Sequence, residues 1–300
     1  AISNFSSEEV QLDSNSFRAL STEKPLLISG GEGLVDSGLD SSFSETTTAT
    51  FSADFAIGSV DGTGISTGFT DGQEAVEAYY GFQIDLNTSF TGEDSLDISL
   101  DAGNAGGSAT EFDLNSTGDS VDVDGVSYTF PVAGATVMVG DNTDGSALFS
   151  TACTYGGPSN TLDDCGSVGA PFVGGGTMFG ASYDFDNGFT AAVGYAGAGS
   201  TTSGLMTNEG LDAYGINAMY TGDSYGVSIS YSTSEVTAAS DDTYTSLNAY
   251  WAPEGFPSIS VGYEWGQDGS EPAAEDGLTS YFVGVQFDEV GPGTFGAALG

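Results

Sequence analysis

From Thr46 onward the chain alternates apolar and polar residues with a period of two, and it keeps doing so almost to Gly300. The stretch FQIDLNTSFTGEDSLDISLDAGN, residues 82–104, shows the pattern most clearly. Phe82, Ile84 and Leu86 precede a Thr-Gly-Glu-Asp turn, and Leu96, Ile98 and Leu100 follow it. Asp85, Asp97 and Asp101 fall on the other side of the same hairpin. A period of two is the signature of a strand whose two faces meet different surroundings. A slip of one residue would carry every carboxylate to the apolar side, so the pattern pins the register as well.

The runs that follow repeat the device. FTAAVGYAG lies after Asp186-Asn187-Gly188, a strong hairpin signal. DAYGINAMY, YGVSISY, TYTSLNAYW, SISVGYEW, SYFVGVQF and GTFGAALG continue it, which makes about thirteen candidate strands with the earlier runs. Short turns alternate with longer connections such as GSTTSGLMTNEG, STSEVTAASDD and GQDGSEPAAEDG. A transmembrane barrel has tight turns at one rim and long loops at the other.

The polar faces separate a barrel from a soluble sandwich. Opposite the apolar side stand Gly180, Ser182, Gly194, Gly215, Asn217, Ser228, Ser230, Gly262 and Gln286, mostly small. That suits a wet interior that needs no bulk to fill it. The apolar faces end in rings, among them Tyr183, Tyr195, Tyr220, Tyr231, Trp251, Trp265 and Tyr281, as in an interfacial aromatic girdle. The expected fold is all-β: a transmembrane antiparallel up-and-down β-barrel occupying residues 45–300. Residues 1–44 lack the alternation and are expected to form a leader, linker or plug. The pattern stops in mid-course at Leu299-Gly300, so the complete barrel is expected to have about 16 strands.

Charge narrows the partners. The formal net charge is -41, with Lys+Arg 2 and no His. Both basic residues, Arg18 and Lys24, precede the barrel. Nucleic acid is excluded as a partner, because nothing would neutralise its phosphates. Disorder is excluded by the patterned 39% of hydrophobic residues. No catalytic constellation is present, since there is no His and neither Cys has a base beside it. The chain is expected not to be an enzyme.

Cys153 and Cys165 flank a polar loop rich in Gly, Pro and Asn, and a disulfide between them is expected, which places the chain in an oxidising compartment. The stretch GDNTDGS, residues 140–146, spaces Asp141 and Asp144 like part of a calcium loop, but it lacks the full ligand series and terminal Glu. Calcium in the acidic loops is the one cofactor left open. Asp54, Asp85, Asp97, Asp101 and Glu264 are the expected pore-lining residues, whose charge would set the local potential.

Several segments resemble cyanobacterial outer-membrane porins of the marine, acidic type. FSETTTATFSADFAIGSVDG is similar to the start of their barrel, and YYGFQIDLNTSFTGEDSLDISLDAGN to their second and third strands. VSYTFPV with ATVMVGD and the final GPGTFGAALG also fit, so the likeness spans roughly residues 43–300. It implies a barrel related to carbohydrate-selective porins, set in outer-membrane lipid and assembled as a homotrimer. The implied activity is passive diffusion of small hydrophilic solutes and inorganic ions, and the acidic lumen adds an expected preference for cations. A family precursor usually carries an S-layer-homology domain and a coiled coil, and neither is recognisable here. The competing reading is an acidic surface-layer or adhesive protein that binds calcium through its loops.

Overall fold

A computed structural model describes residues 47–58, 76–105, 114–157, 162, 164–199, 204–207, 210–237, 240–269, 277–291 and 293–300. The expected leader, residues 1–44, lies outside the described residues. Thirteen strands form one sheet, in the order β1 to β13, with every neighbouring pair antiparallel. They are β1 (Thr47–Gly58), β2 (Glu77–Thr88), β3 (Ser95–Gly103), β4 (Asp122–Val132), β5 (Ala135–Asp144), β6 (Gly175–Asp184) and β7 (Phe189–Gly197). Then come β8 (Asp212–Thr221), β9 (Tyr225–Thr237), β10 (Ser240–Trp251), β11 (Ser258–Gln267), β12 (Gly277–Val290) and β13 (Gly293–Leu299). The topology is up-and-down throughout. Among the described residues β1 and β13 each have a single strand neighbour.

The tight turns do what their residues dictate. Ala133 and Gly134 join β4 to β5 with φ of 51° and 86°, the two positive values a two-residue hairpin turn requires. Between β6 and β7, Asp186 and Gly188 have positive φ, and the Asp184 carboxylate accepts the Asp186 N–H at 2.9 Å. One connection departs from expectation. STSEVTAASDD reads as a long loop, yet Ser232–Thr237 continue β9 and Ser240–Asp242 begin β10.

Residues directly opposite on neighbouring strands share a face, so the register carries one face across the sheet. From Glu264 it runs through Ser246, Ser230, Asn217, Ala192, Ser182 and Thr136. On the far side the same face holds Ser127, Asp97, Ser99, Asp101, Gln83, Asp85, Gly81 and Asp54. We call it the inner face.

Burial is inverted relative to a water-soluble protein. On β9, Val227, Ile229 and Tyr231 are 40–47% exposed, while Ser228, Ser230 and Ser232 between them are at most 2% exposed. Phe51, Phe55, Phe179, Ile216, Leu247, Trp251, Val261, Trp265, Tyr281 and Phe295 share the exposed outer face with them. The buried residues are instead mostly Ser, Asn and small apolar residues, with a few larger ones such as Phe282 and Met178 and the carboxylates Asp94, Asp212 and Glu264. An apolar belt running over so many strands far exceeds the patches that soluble monomers leave open.

Candidate functional site

The inner face is covered in part by residues 145–157 and 164–174, described parts of the 145–174 segment that links β5 to β6. Along its outward leg, every second residue from Ser150 to Gly156 reaches a different wall strand. Ser150 N–H donates to Asn217 Oδ1 on β8 at 3.0 Å, and Ala152 N–H to Ser228 Oγ on β9 at 2.8 Å. Thr154 N–H donates to Ser260 Oγ on β11 at 2.9 Å, and Gly156 N–H to Gln286 Oε1 on β12 at 2.8 Å. Tyr155 packs on Phe282, whose ring is 1% exposed, with centroids 5.3 Å apart.

The return leg is held as firmly. Asn248 Nδ2 donates to the Cys165 carbonyl at 2.9 Å, and Ser167 Oγ donates to Asn248 Oδ1 at 2.6 Å. Glu264 is buried beneath it. Its carboxylate accepts the Gly169 N–H at 3.0 Å and the Ala170 N–H at 2.7 Å. Charge-assisted bonds of this kind are the strong ones, and they offset the cost of burying the carboxylate. A disulfide joins Cys153 to Cys165 across the two legs, with Cα atoms 6.2 Å apart.

Two glycines allow the close approach. A Cβ on Gly262 would lie 1.8 Å from the Cys165 carbonyl oxygen, and one on Gly194 1.8 Å from that of Gly145. The small residues of β7–β12 therefore seat a polypeptide over part of the polar interior. Asn217, Ser228, Asn248, Ser260 and Phe282 were not singled out as functional from sequence. Asn217 and Asn248 carried a hint, because Asn is depleted in strands and both lie within strands here.

The other four carboxylates lie on β1–β3, eight strands along the sheet from Glu264 in the case of Asp85's neighbour β3. Asp54 is exposed on β1. Asp85 accepts from Gln83 Nε2 at 2.8 Å and Ser99 Oγ at 2.7 Å. Asp97 accepts from Asn87 Nδ2 at 2.5 Å and Ser95 Oγ at 2.6 Å. Asp101 stands opposite Asp122, a like-charged pair. The structure thus sets all five on one face but does not gather them into one cluster.

Asp141 and Asp144 close β5, where its register to β6 shifts. Asp141 Oδ1 accepts from Thr177 Oγ1 at 3.1 Å. Among the described residues no three acidic, thiol or imidazole groups come together as a metal site. They also contain no Lys or Arg, so every fixed side-chain charge on the described wall is negative.

No family model matches the chain, and no curated protein matches it. Solved structures do. Two engineered variants of a porin from Rhodopseudomonas blastica superpose with TM-scores of 0.52 and 0.51. Each is 15% identical, and each match covers 80% of this chain and 78% of the porin. At that identity the likeness establishes the fold alone: an antiparallel up-and-down β-barrel of porin type.

Proposed function

We propose that this chain is an outer-membrane porin: a passive, cation-preferring diffusion channel for small hydrophilic solutes and inorganic ions. The observation that carries the reading is the inverted burial, apolar side chains outside and hydroxyls, amides and carboxylates inside. Only a bilayer removes the cost of such an outer face, and a closed barrel satisfies the backbone within it. The 145–174 segment narrows the interior from one side, where its backbone and Glu264 are locked to the wall. The uncovered carboxylates Asp54, Asp85, Asp97 and Asp101 then line the remaining passage. They act by setting its potential, and no bond is made or broken. The outer face meets lipid and, in a homotrimer, the neighbouring subunits. The disulfide agrees with an oxidising site of residence.

Extraction and reconstitution test this directly. The protein should leave membranes only with detergent and should then insert into planar bilayers as discrete conductance steps. Release by chelator into a detergent-free solution, with no conductance, would overturn the proposal in favour of a calcium-bound surface protein.

A further inference from the structure

We infer that the inner face holds a binding site for a small organic cation carrying an apolar or aromatic portion. The site is a cavity of about 530 Å³ between the return leg of the 145–174 segment and strands β9–β12. That volume falls in the range of small-molecule sites. This inference rests on the channel reading for how a solute arrives, but not for the chemistry of the site.

The lining is unlike the rest of the inner face. Val168, Phe172 and Leu278 line it and are 58%, 52% and 42% exposed overall, although the neighbouring wall is Ser, Thr and carboxylate. A wet passage gains nothing from three open apolar side chains. They lose water favourably only when an apolar group covers them. Tyr244 supplies a second ring. It is fixed in place, because Cβ atoms added to Gly169 and Gly266 would lie 2.6 and 2.5 Å from its ring carbons.

The charge of the site selects the sign of the ligand. Asp242 and Glu264 both border the cavity. Glu264 commits its oxygens to the Gly169 and Ala170 amides. Asp242 accepts one backbone N–H, from Gly269 at 2.8 Å, and a bond from Tyr244, which leaves acceptor capacity for a cation. No basic side chain among the described residues competes for it. An ammonium beside Asp242 would also lie near the Phe172 and Tyr244 rings that border the cavity, and aromatic rings attract cations once water is displaced. An inorganic ion would gain nothing from Phe172, and a neutral arene nothing from Asp242.

Titration calorimetry of the full-length protein in detergent micelles tests the site, with benzyltrimethylammonium as the probe. We expect saturable binding that weakens as salt rises. Asp242→Asn and Phe172→Ala should each weaken it by about tenfold, in keeping with the loss of one charge or one ring contact. Phe172→Leu, which keeps apolar bulk, guards against a folding defect and should weaken binding as well. Asp223→Asn, in the turn before β9, should change nothing. Benzyl alcohol should not compete. Equal binding by wild type and the Asp242 and Phe172 variants, or equal binding of benzyl alcohol, overturns the site. Protein that conducts but does not bind the probe removes the site and leaves the channel. Protein that binds the probe but never conducts removes the channel and leaves the site.

Discussion

Asp94, in the turn between β2 and β3, gathers a set of donors onto one carboxylate. Tyr128 O–H donates to its Oδ2 at 2.5 Å. The Phe90 and Thr91 amides and the Ser89 and Thr91 hydroxyls reach its Oδ1 at 2.8–2.9 Å. Led by the Tyr128 bond, they hold this carboxyl well below its ordinary value of 3.8. A depressed folded value means that the stabilisation is full above the unfolded value and is lost as pH falls through the folded one. Hydrogen exchange should therefore find the Phe90 and Thr91 amides protected at neutral pH and released in strong acid. Asp94→Asn should lower the protection at neutral pH and remove its acid dependence; a variant with the wild-type profile would show that the ionised carboxylate is not the anchor. Glu264 plays a comparable part under the inner segment. Glu264→Ala removes a charged acceptor from two backbone amides, each such bond being worth about 1.5–3 kcal/mol. Single-channel records should then show added flicker with the wall intact. A trace as quiet as wild type would mean that other contacts suffice to hold the segment.

At the scale of elements, the 145–174 segment is a strap fastened to the inner face of the wall, and the wall is expected to stand without its disulfide. The disulfide closes a short loop, whose chain-entropy contribution is about 3 kcal/mol. Cys153→Ser with Cys165→Ser should expose residues 153–165 to limited proteolysis while far-UV circular dichroism keeps its strand signal. Loss of the strand signal would make the bridge part of the wall's own stability. The strands themselves were legible because apolar and polar surroundings impose a period of two on each. The end of β9 and start of β10 were not, for a physical reason. There the strands pass beyond the apolar belt, as Thr233 and Glu235 occupy outer-face positions, and the alternation disappears. The strap's seat was hidden for a different reason. A small polar residue at an inner position serves equally well against water or against a polypeptide, so Ser228, Ser260 and Gly262 look alike in either role. Phe282 broke the inner pattern of small residues, and its contact with Tyr155 explains it.

The whole molecule is dominated by one sign of charge. Its two basic residues lie within the first 24 positions, ahead of every described strand, and the carboxylates are spread over the rest. The paired carboxylates seen here, Asp85 and Asp97, are paired with amides and hydroxyls, which leave their charge in place. In the channel proposed above, electrostatic focusing by these carboxylates would raise the local concentration of cations. Salt screens this effect, with a Debye length of about 10 Å at 0.1 M and about 3 Å at 1 M. Selectivity should accordingly be strong in dilute salt and weak in brine. Neutralising Asp54, Asp85, Asp97 and Asp101 together by Asn should reduce it without closing the channel. The most direct test is the reversal potential of the full-length protein in a planar bilayer under a KCl gradient. The carboxylate-lined wall predicts a potential displaced toward that of potassium at low salt, moving toward zero as both baths are made concentrated. A potential displaced toward that of chloride at low salt would contradict it.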